Sequence, residues 1–273
     1  MIEFYKMSGS GNDFIIIDNL DLSLDVGDLS EFARRICKRR FSVGADGLVI
    51  IEPSDAADFK WRFFNADGSM AEMCGNAARC TARFAYMKGI AASEMSWETI
   101  AGLISAEVQE DIARVRLTDP SPVQAGVEIE TDGRKFILDV IDTGVPHAVA
   151  FVDDLDNYDV QNNGRKIRYH EFFSPRGTNA DFATVIDRQY MKVRTYERGV
   201  EGETLACGTG MVAAVVTAAQ RGLVESPVEV MVKSGETLRV YFEKQNDLWR
   251  ELYLEGRVKI IYHGFLFEEA YKS

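Results

Sequence analysis

Two of the four cysteines stand where a thiol can do chemistry. Cys74 and Cys207 each sit in a Gly-rich run just ahead of a helix-forming stretch, MCGNAARC and ACGTGMV. A helix N-terminus offers unpaired N–H groups and the positive end of the helix dipole. Both favour a thiolate, and both can hold a carboxylate beside it. Gly75, Gly208 and Gly210 let backbone approach a ligand, and Asn76 and Thr209 add side-chain donors. Two such sulfurs suit α-proton transfer on an amino acid. One thiolate takes the proton from one face and one thiol returns a proton to the other. Donors around the substrate carboxylate would stabilise the carbanion as they would an oxyanion. Cys37 and Cys80 lie on apolar helix faces and read as packing.

The two cysteines are related by an internal repeat. Lys60-Trp61-Arg62-Phe63-Phe64-Asn65 matches Lys192-Val193-Arg194-Thr195-Tyr196-Glu197 as K-x-R-x-aromatic-polar. Each run leads to a glycine-containing turn and then to Cys-Gly. From Cys74 to Gly89, and from Cys207 to Gly222, is 15 residues. Upstream, Gly11-Asn12-Asp13-Phe14 looks like Thr178-Asn179-Ala180-Asp181-Phe182. The halves read as related domains, the first with an extra helix near residues 29–39.

The elements that must carry these cysteines are mostly short strands. Residues 14–17, 47–51, 61–64, 113–117, 136–141, 148–152, 183–186, 191–196, 228–232, 238–242 and 258–262 are β-rich runs bounded by turn formers. Three segments read as helix: 29–39 with Ser30 as N-cap, 76–88 ending at Gly89, and 210–221 ending at Gly222. The last is almost wholly apolar, so it is expected to be buried on most sides. The fold class is α+β: two pseudo-symmetric domains, each a mostly antiparallel curved sheet wrapped around a central helix.

Bulk composition narrows the partners. Lys plus Arg is 31 and Asp plus Glu is 43 in 273 residues, a net charge of −12. That argues against nucleic acid and anionic membrane, which both need a basic face. No C-x-x-C occurs, and three histidines, His147, His170 and His263, lie far from the cysteines in sequence. A structural zinc site is not expected, nor is a disulfide scaffold. The N-terminus lacks the apolar core of a signal peptide, and no run approaches the ~20 residues that span a bilayer. A protein of a reducing, cytoplasmic compartment is the expectation.

GSGNDF, GADG, FNADGSMAEMCGNAARC, VPHAV, RGTNADF and YERGVEGETLACGTG occur in the order found in the diaminopimelate epimerase family, which this chain resembles from residue 1 to about 267. The resemblance implies a pyridoxal-independent enzyme, without cofactor or metal. It would interconvert LL- and meso-diaminopimelate for lysine and peptidoglycan synthesis. It implies domains 1–118 plus 257–273 and 119–256, with the C-terminal strand returning to the first and the site in the cleft. It implies Cys74 and Cys207 as the acid/base pair. Gly75, Asn76, Gly208 and Thr209 would surround the reacting carboxylate, and Asn12, Asn65, Asn179, Glu197 and Arg198 would bind substrate. A homodimer is the family expectation. Arg198 suits a carboxylate and Glu197 an ammonium.

Many members carry Asn where this chain has Val145, and some carry Gln at Gly47. Val145 motivates a second reading, a racemase of another amino acid such as lysine. Gly208-Thr209-Gly210-Met211-Val212-Ala213 also fits G-x-G-x-x-A, but no βαβ alternation is visible around it, so a dinucleotide-binding oxidoreductase is a distant alternative. A cysteine hydrolase would leave Cys74 unused, and a binding protein would need neither cysteine. His147, after Pro146 at a strand start, reads as structural.

Overall fold

A computed structural model describes residues 1–246 and 248–272. The chain divides into two compact units, Met1–Val115 with Gly256–Ser273 and Arg116–Glu255.

Unit 1 runs β1 (Ile2–Gly9), β2 (Asn12–Asp18), α1 (Leu29–Ile36), β3 (Gly47–Glu52), β4 (Phe59–Asn65), α2 (Gly75–Met87), β5 (Glu94–Thr99), β6 (Gly102–Gln109) and β7 (Ile112–Arg116). Unit 2 runs β8 (Gln124–Thr131), β9 (Arg134–Asp142), β10 (Pro146–Phe151), α3 (Val160–Arg168), β11 (Asn179–Asp187), β12 (Tyr190–Glu197), the short β13 (Gly202–Glu203), α4 (Gly208–Gln220), β14 (Val228–Met231), β15 (Thr237–Gln245) and β16 (Leu248–Arg257). The final strand, β17 (Lys259–Leu266), pairs antiparallel with β1 in unit 1.

The two units have one topology. In unit 1 the neighbours run β17–β1–β2–β3–β4–β5–β6–β7, with β2/β3 and β4/β5 parallel and the other pairs antiparallel. In unit 2 they run β8–β9–β10–β11–β12–β14–β15–β16, with β10/β11 and β12/β14 parallel and the others antiparallel. The helices therefore occupy matching crossovers between parallel strands, α1 with α3 and α2 with α4. The registers set Asn65 opposite Gly47 in unit 1 and Tyr196 opposite Ala180 in unit 2.

Three expectations change here. Unit 2 does not lack the extra helix. It carries α3, hidden by Asn162-Asn163-Gly164, which have poor helix propensity. Gly164 is needed because a Cβ there would lie 2.3 Å from Tyr196 Cβ. The GNDF and TNADF runs occupy β2 and β11, which are not equivalent strands; β2 corresponds to β10 and β11 to β3. And the G-x-G-x-x-A run does sit in a βαβ crossover, although β13 and its loops separate it from β12.

Each unit wraps its sheet around a buried helix. Along α4 Gly210 to Ala218 are all buried, and Val and Ala side chains pack against Val149, Ala183, Met191, Val193, Val228 and Val240. On α2, Asn76 to Ala82 are buried. The outer helices cover the opposite sheet faces. Phe32, Ala33 and Ile36 of α1 meet Ile15, Ile17, Leu48 and Ile50, while Val160 and Ile167 of α3 meet Ala148, Ala180 and Phe182. A strand covered on both faces has no polar side, so β3 reads as an unbroken apolar run, Gly47-Leu-Val-Ile-Ile. Burial of that kind is the main driving force for each unit, about 25 cal/mol per Å² of apolar surface.

The helix limits place the cysteines. Cys74 and Cys207 are the N-cap residues of α2 and α4, in extended conformation, and neither sulfur caps its helix. Gly89 and Gly222 follow the two helices at φ of 70° and 72°, the left-handed stop that glycine tolerates. In α1 the cap is Asp28 rather than Ser30, with Oδ1 accepting from the Glu31 amide at 2.9 Å. Ser30 Oγ donates instead to Gly68 O at 2.6 Å. The helix ends at Ile36, short of Arg39, which is drawn to Asp13 and Asp46.

Candidate active site

In unit 1 a chain of polar side chains leads to the first turn of α2. Asn76 Nδ2 donates to Asn12 Oδ1 at 2.6 Å, and Asn12 Nδ2 donates to Asp46 Oδ2 at 3.0 Å. Arg79, fully buried on α2, donates to Asn76 Oδ1 at 2.7 Å and to Ser10 Oγ at 2.9 Å. Asp46 also accepts from the Asp13 amide and from Arg39, and Asp13 is bound by Lys6 and Arg39. Those cations hold the Asp13 carboxyl below the usual carboxylate range, against the opposing effect of burial. The GSGNDF turn, the GADG turn and the α2 N-terminus are thereby joined, and Asn12 and Asn76 come together beside Cys74 and Gly75. Asn65 is not part of this chain. It is exposed at the end of β4, and its Nδ2 donates to Ser69 Oγ at 3.0 Å. At Gly47 a Cβ would lie 2.7 Å from Phe64 O and 2.8 Å from Phe63 Cε2, so packing requires glycine here.

In unit 2 the first turn of α4 presents Gly208, Thr209 and Gly210 after Cys207. Cys207 is 7% exposed, with Sγ 3.5 Å from Thr209 Oγ1. The expected activation by the helix end does not prevail at this sulfur. Burial, followed by the charges of Glu197 and Asp181, raises its pKa well above that of an ordinary thiol. The Thr209 hydroxyl and Gly210 amide pull the other way and lose. Burial likewise raises the Glu197 carboxyl. Cys37 and Cys80 behave as packing thiols, buried and pushed up to about 12.

Asn179 and Arg198 also meet in unit 2. The Arg198 amide donates to Asn179 Oδ1 at 2.7 Å, and the Arg198 guanidinium reaches Arg176 O at 3.1 Å. Val145 lies in a turn against α4, where the Thr143 amide donates to Val145 O at 3.1 Å and Thr143 Oγ1 reaches Thr209 O at 3.4 Å.

Two groups at these positions were not picked out from the sequence. Asp46 anchors Asn12, and Asp181 pairs with His147 at 2.7 Å, both residues fully buried. A signal existed for Asp181. A carboxylate inside the apolar run Asn179-Ala-Asp-Phe-Ala must find a partner when buried. Among the described residues no group of three or more His, Cys, Asp or Glu side chains is gathered as a metal ion would require. No helix among them is long and apolar enough to cross a membrane.

A family model described as diaminopimelate epimerase matches residues 4–123 and 140–261. A diaminopimelate epimerase of Aquifex aeolicus (strain VF5) is 46% identical over 280 residues, covering 98% of this chain and 99% of that protein. One of Archaeoglobus fulgidus is 42% identical, covering 97% and 96%. Among solved structures, a Bacillus anthracis phenazine biosynthesis protein of the PhzF family aligns with a TM-score of 0.75 at 16% identity, covering 97% of this chain and 99% of that one. A probable proline racemase from Agrobacterium radiobacter K84 aligns at 0.71 and 15% identity, covering 98% and 93%. These two distant structures share the fold.

Proposed function

Because the chain belongs to the diaminopimelate epimerase family, we propose that it interconverts LL- and meso-diaminopimelate by α-proton transfer between a thiolate and a thiol, without a cofactor. The observation that carries this is the equivalent placement of Cys74 and Cys207. Each is the uncapping N-cap residue of the central helix in its own copy of one topology. One sulfur, as thiolate, removes the α-proton, and the resulting carbanion takes a proton from the other sulfur on the opposite face. The amides of Gly75, Asn76, Gly208 and Thr209 hold the substrate carboxylate as its charge grows. Asn12, Asn65, Asn179, Glu197 and Arg198 bind the remaining ammonium and carboxylate groups. Burial, and after it the charge of Glu197, raises Cys207 and so keeps that sulfur a proton donor before turnover. The same reading makes the protein a cytoplasmic homodimer acting on a small amino acid, with neither nucleic acid nor membrane as partner, in lysine and peptidoglycan-precursor synthesis.

Val145 supports testing a second substrate, since its side chain cannot hydrogen-bond to a distal group. Purified protein is to be incubated with LL-diaminopimelate or L-lysine in deuterated water. The expected result is α-proton exchange on diaminopimelate alone. Exchange on lysine at a comparable rate would replace this substrate with the broader one.

A further inference from the structure

We propose that Asp181 is a positioning residue of unit 2, which sets the His147 ring proton so that the ring accepts from the Asn179 amide and braces it. Asp181 sits in the middle of an apolar strand with no exposure, and so does its partner His147 in β10. The carboxylate accepts from Thr195 Oγ1 at 2.7 Å and meets His147 Nδ1 at 2.7 Å. An ionised carboxylate is acceptor only, so His147 Nδ1 carries a proton. On the far side of the ring, His147 Nε2 lies 3.4 Å from Asn179 Nδ2. The Asn179 amide cannot be turned round, because its Oδ1 already accepts from the Arg198 amide at 2.7 Å. Nε2 must then accept, and the ring proton sits on Nδ1. The chain runs one way, from the Arg198 amide through Asn179 and His147 to Asp181. One Nδ2–H of Asn179 is left for a substrate acceptor.

The site has no slack for a different anchor. A Cβ on Gly210 would lie 2.3 Å from Asp181 Oδ1 and 2.9 Å from Thr195 Oγ1. The carboxylate is wedged between β12 and the first turn of α4, which is why glycine stands there. Asp181→Asn keeps the size but offers an N–H as well as an oxygen. It can turn that N–H toward His147, which forces the ring proton to Nε2 and sets it against the Asn179 N–H.

The effect on catalysis rests on the proposed epimerase reading; the ring proton does not, and the test separates them. Histidine-labelled protein is examined by ¹⁵N NMR, alongside kcat and KM for LL-diaminopimelate. In the wild type the expected His147 signal is a neutral ring protonated at Nδ1. In Asp181→Asn it shifts to the Nε2–H form or a mixture, and kcat/KM falls about 10–100-fold, the usual cost of losing a partner that orients a site group. Thr195→Val removes the other donor and should keep the Nδ1–H ring. A wild-type ring protonated at Nε2 overturns the proposal even if Asp181→Asn fails to fold. So does an unchanged ring in Asp181→Asn, or a changed ring with unchanged kcat/KM. A wild type without diaminopimelate turnover instead removes the function reading and leaves the ring assignment to the spectrum.

Discussion

The two units share strand order, strand sense, helix placement and a cysteine at the same cap, yet differ in the charged groups on and around the central helix. In unit 1 the central helix carries the buried cation Arg79, where the matching position on α4 is Val212. Its first turn is tied through Asn76 and Asn12 to Asp46 and Arg39. In unit 2 the central helix is apolar from Gly210 to Ala218, and the charges near its first turn are the carboxyls of Glu197 and Asp181. A helix N-terminus alone does not decide the state of a thiol. Desolvation and two carboxylates outweigh it at Cys207. One backbone plan used twice thus sets its two cap cysteines beside helices of different polarity.

The comparison predicts its largest effect where the units are alike. Cys74→Ala and Cys207→Ala should each lower turnover by at least about 10²–10⁴-fold, the range for losing a general acid or base. Far-ultraviolet circular dichroism should remain that of the wild type. Near-normal turnover in either variant would falsify the paired assignment.

The next effect lies where the units differ. Alkylation by iodoacetamide, mapped by mass spectrometry across pH, should reach Cys207 only well above the ordinary thiol range. Glu197→Gln removes a neighbouring negative charge, so the Cys207 midpoint should move to lower pH. A midpoint that stays or rises would contradict the role given to that carboxyl.

Smaller effects concern the scaffold. Gly164→Ala forces a Cβ into Tyr196 and should cost about 1–3 kcal/mol in denaturant unfolding, typical of overpacking. Gly89→Ala and Gly222→Ala meet nothing within 4 Å, so each should cost only the left-handed backbone, about 1–2 kcal/mol. Equal costs would support the equivalence of the two helix ends, and unequal costs would break it.

Much of this plan was legible in the residues. Cys-Gly ahead of a helix, the matched intervals to Gly89 and Gly222, and the paired K-x-R strands all follow from local rules about caps and turns. Those rules act within a few residues. What they cannot carry is long-range pairing. The match of GNDF to TNADF looked local but joined strands at different sheet positions. The helix α3 was hidden because its stability comes from packing Val160 and Ile167 against the sheet rather than from propensity. Polar strands such as β5, β6 and β16 lack the dense apolar runs that marked their neighbours. The site showed the same limit. Cys74, Cys207 and their glycine neighbours announce themselves by type, whereas the partners of Asn12 and of His147, Asp46 and Asp181, lie 34 residues away in each case. The direction of the Cys207 shift follows from burial first and then from Glu197 and Asp181, both set by tertiary packing of distant strands.

The two-base account is tested most directly by following deuterium from solvent during the first turnovers of LL-diaminopimelate. Two sulfurs acting on opposite faces would place solvent deuterium at the inverted α-carbon of the meso product, while recovered LL-substrate would keep its hydrogen. Deuterium entering recovered substrate as fast as product would mean that one base serves both faces, and would contradict the account.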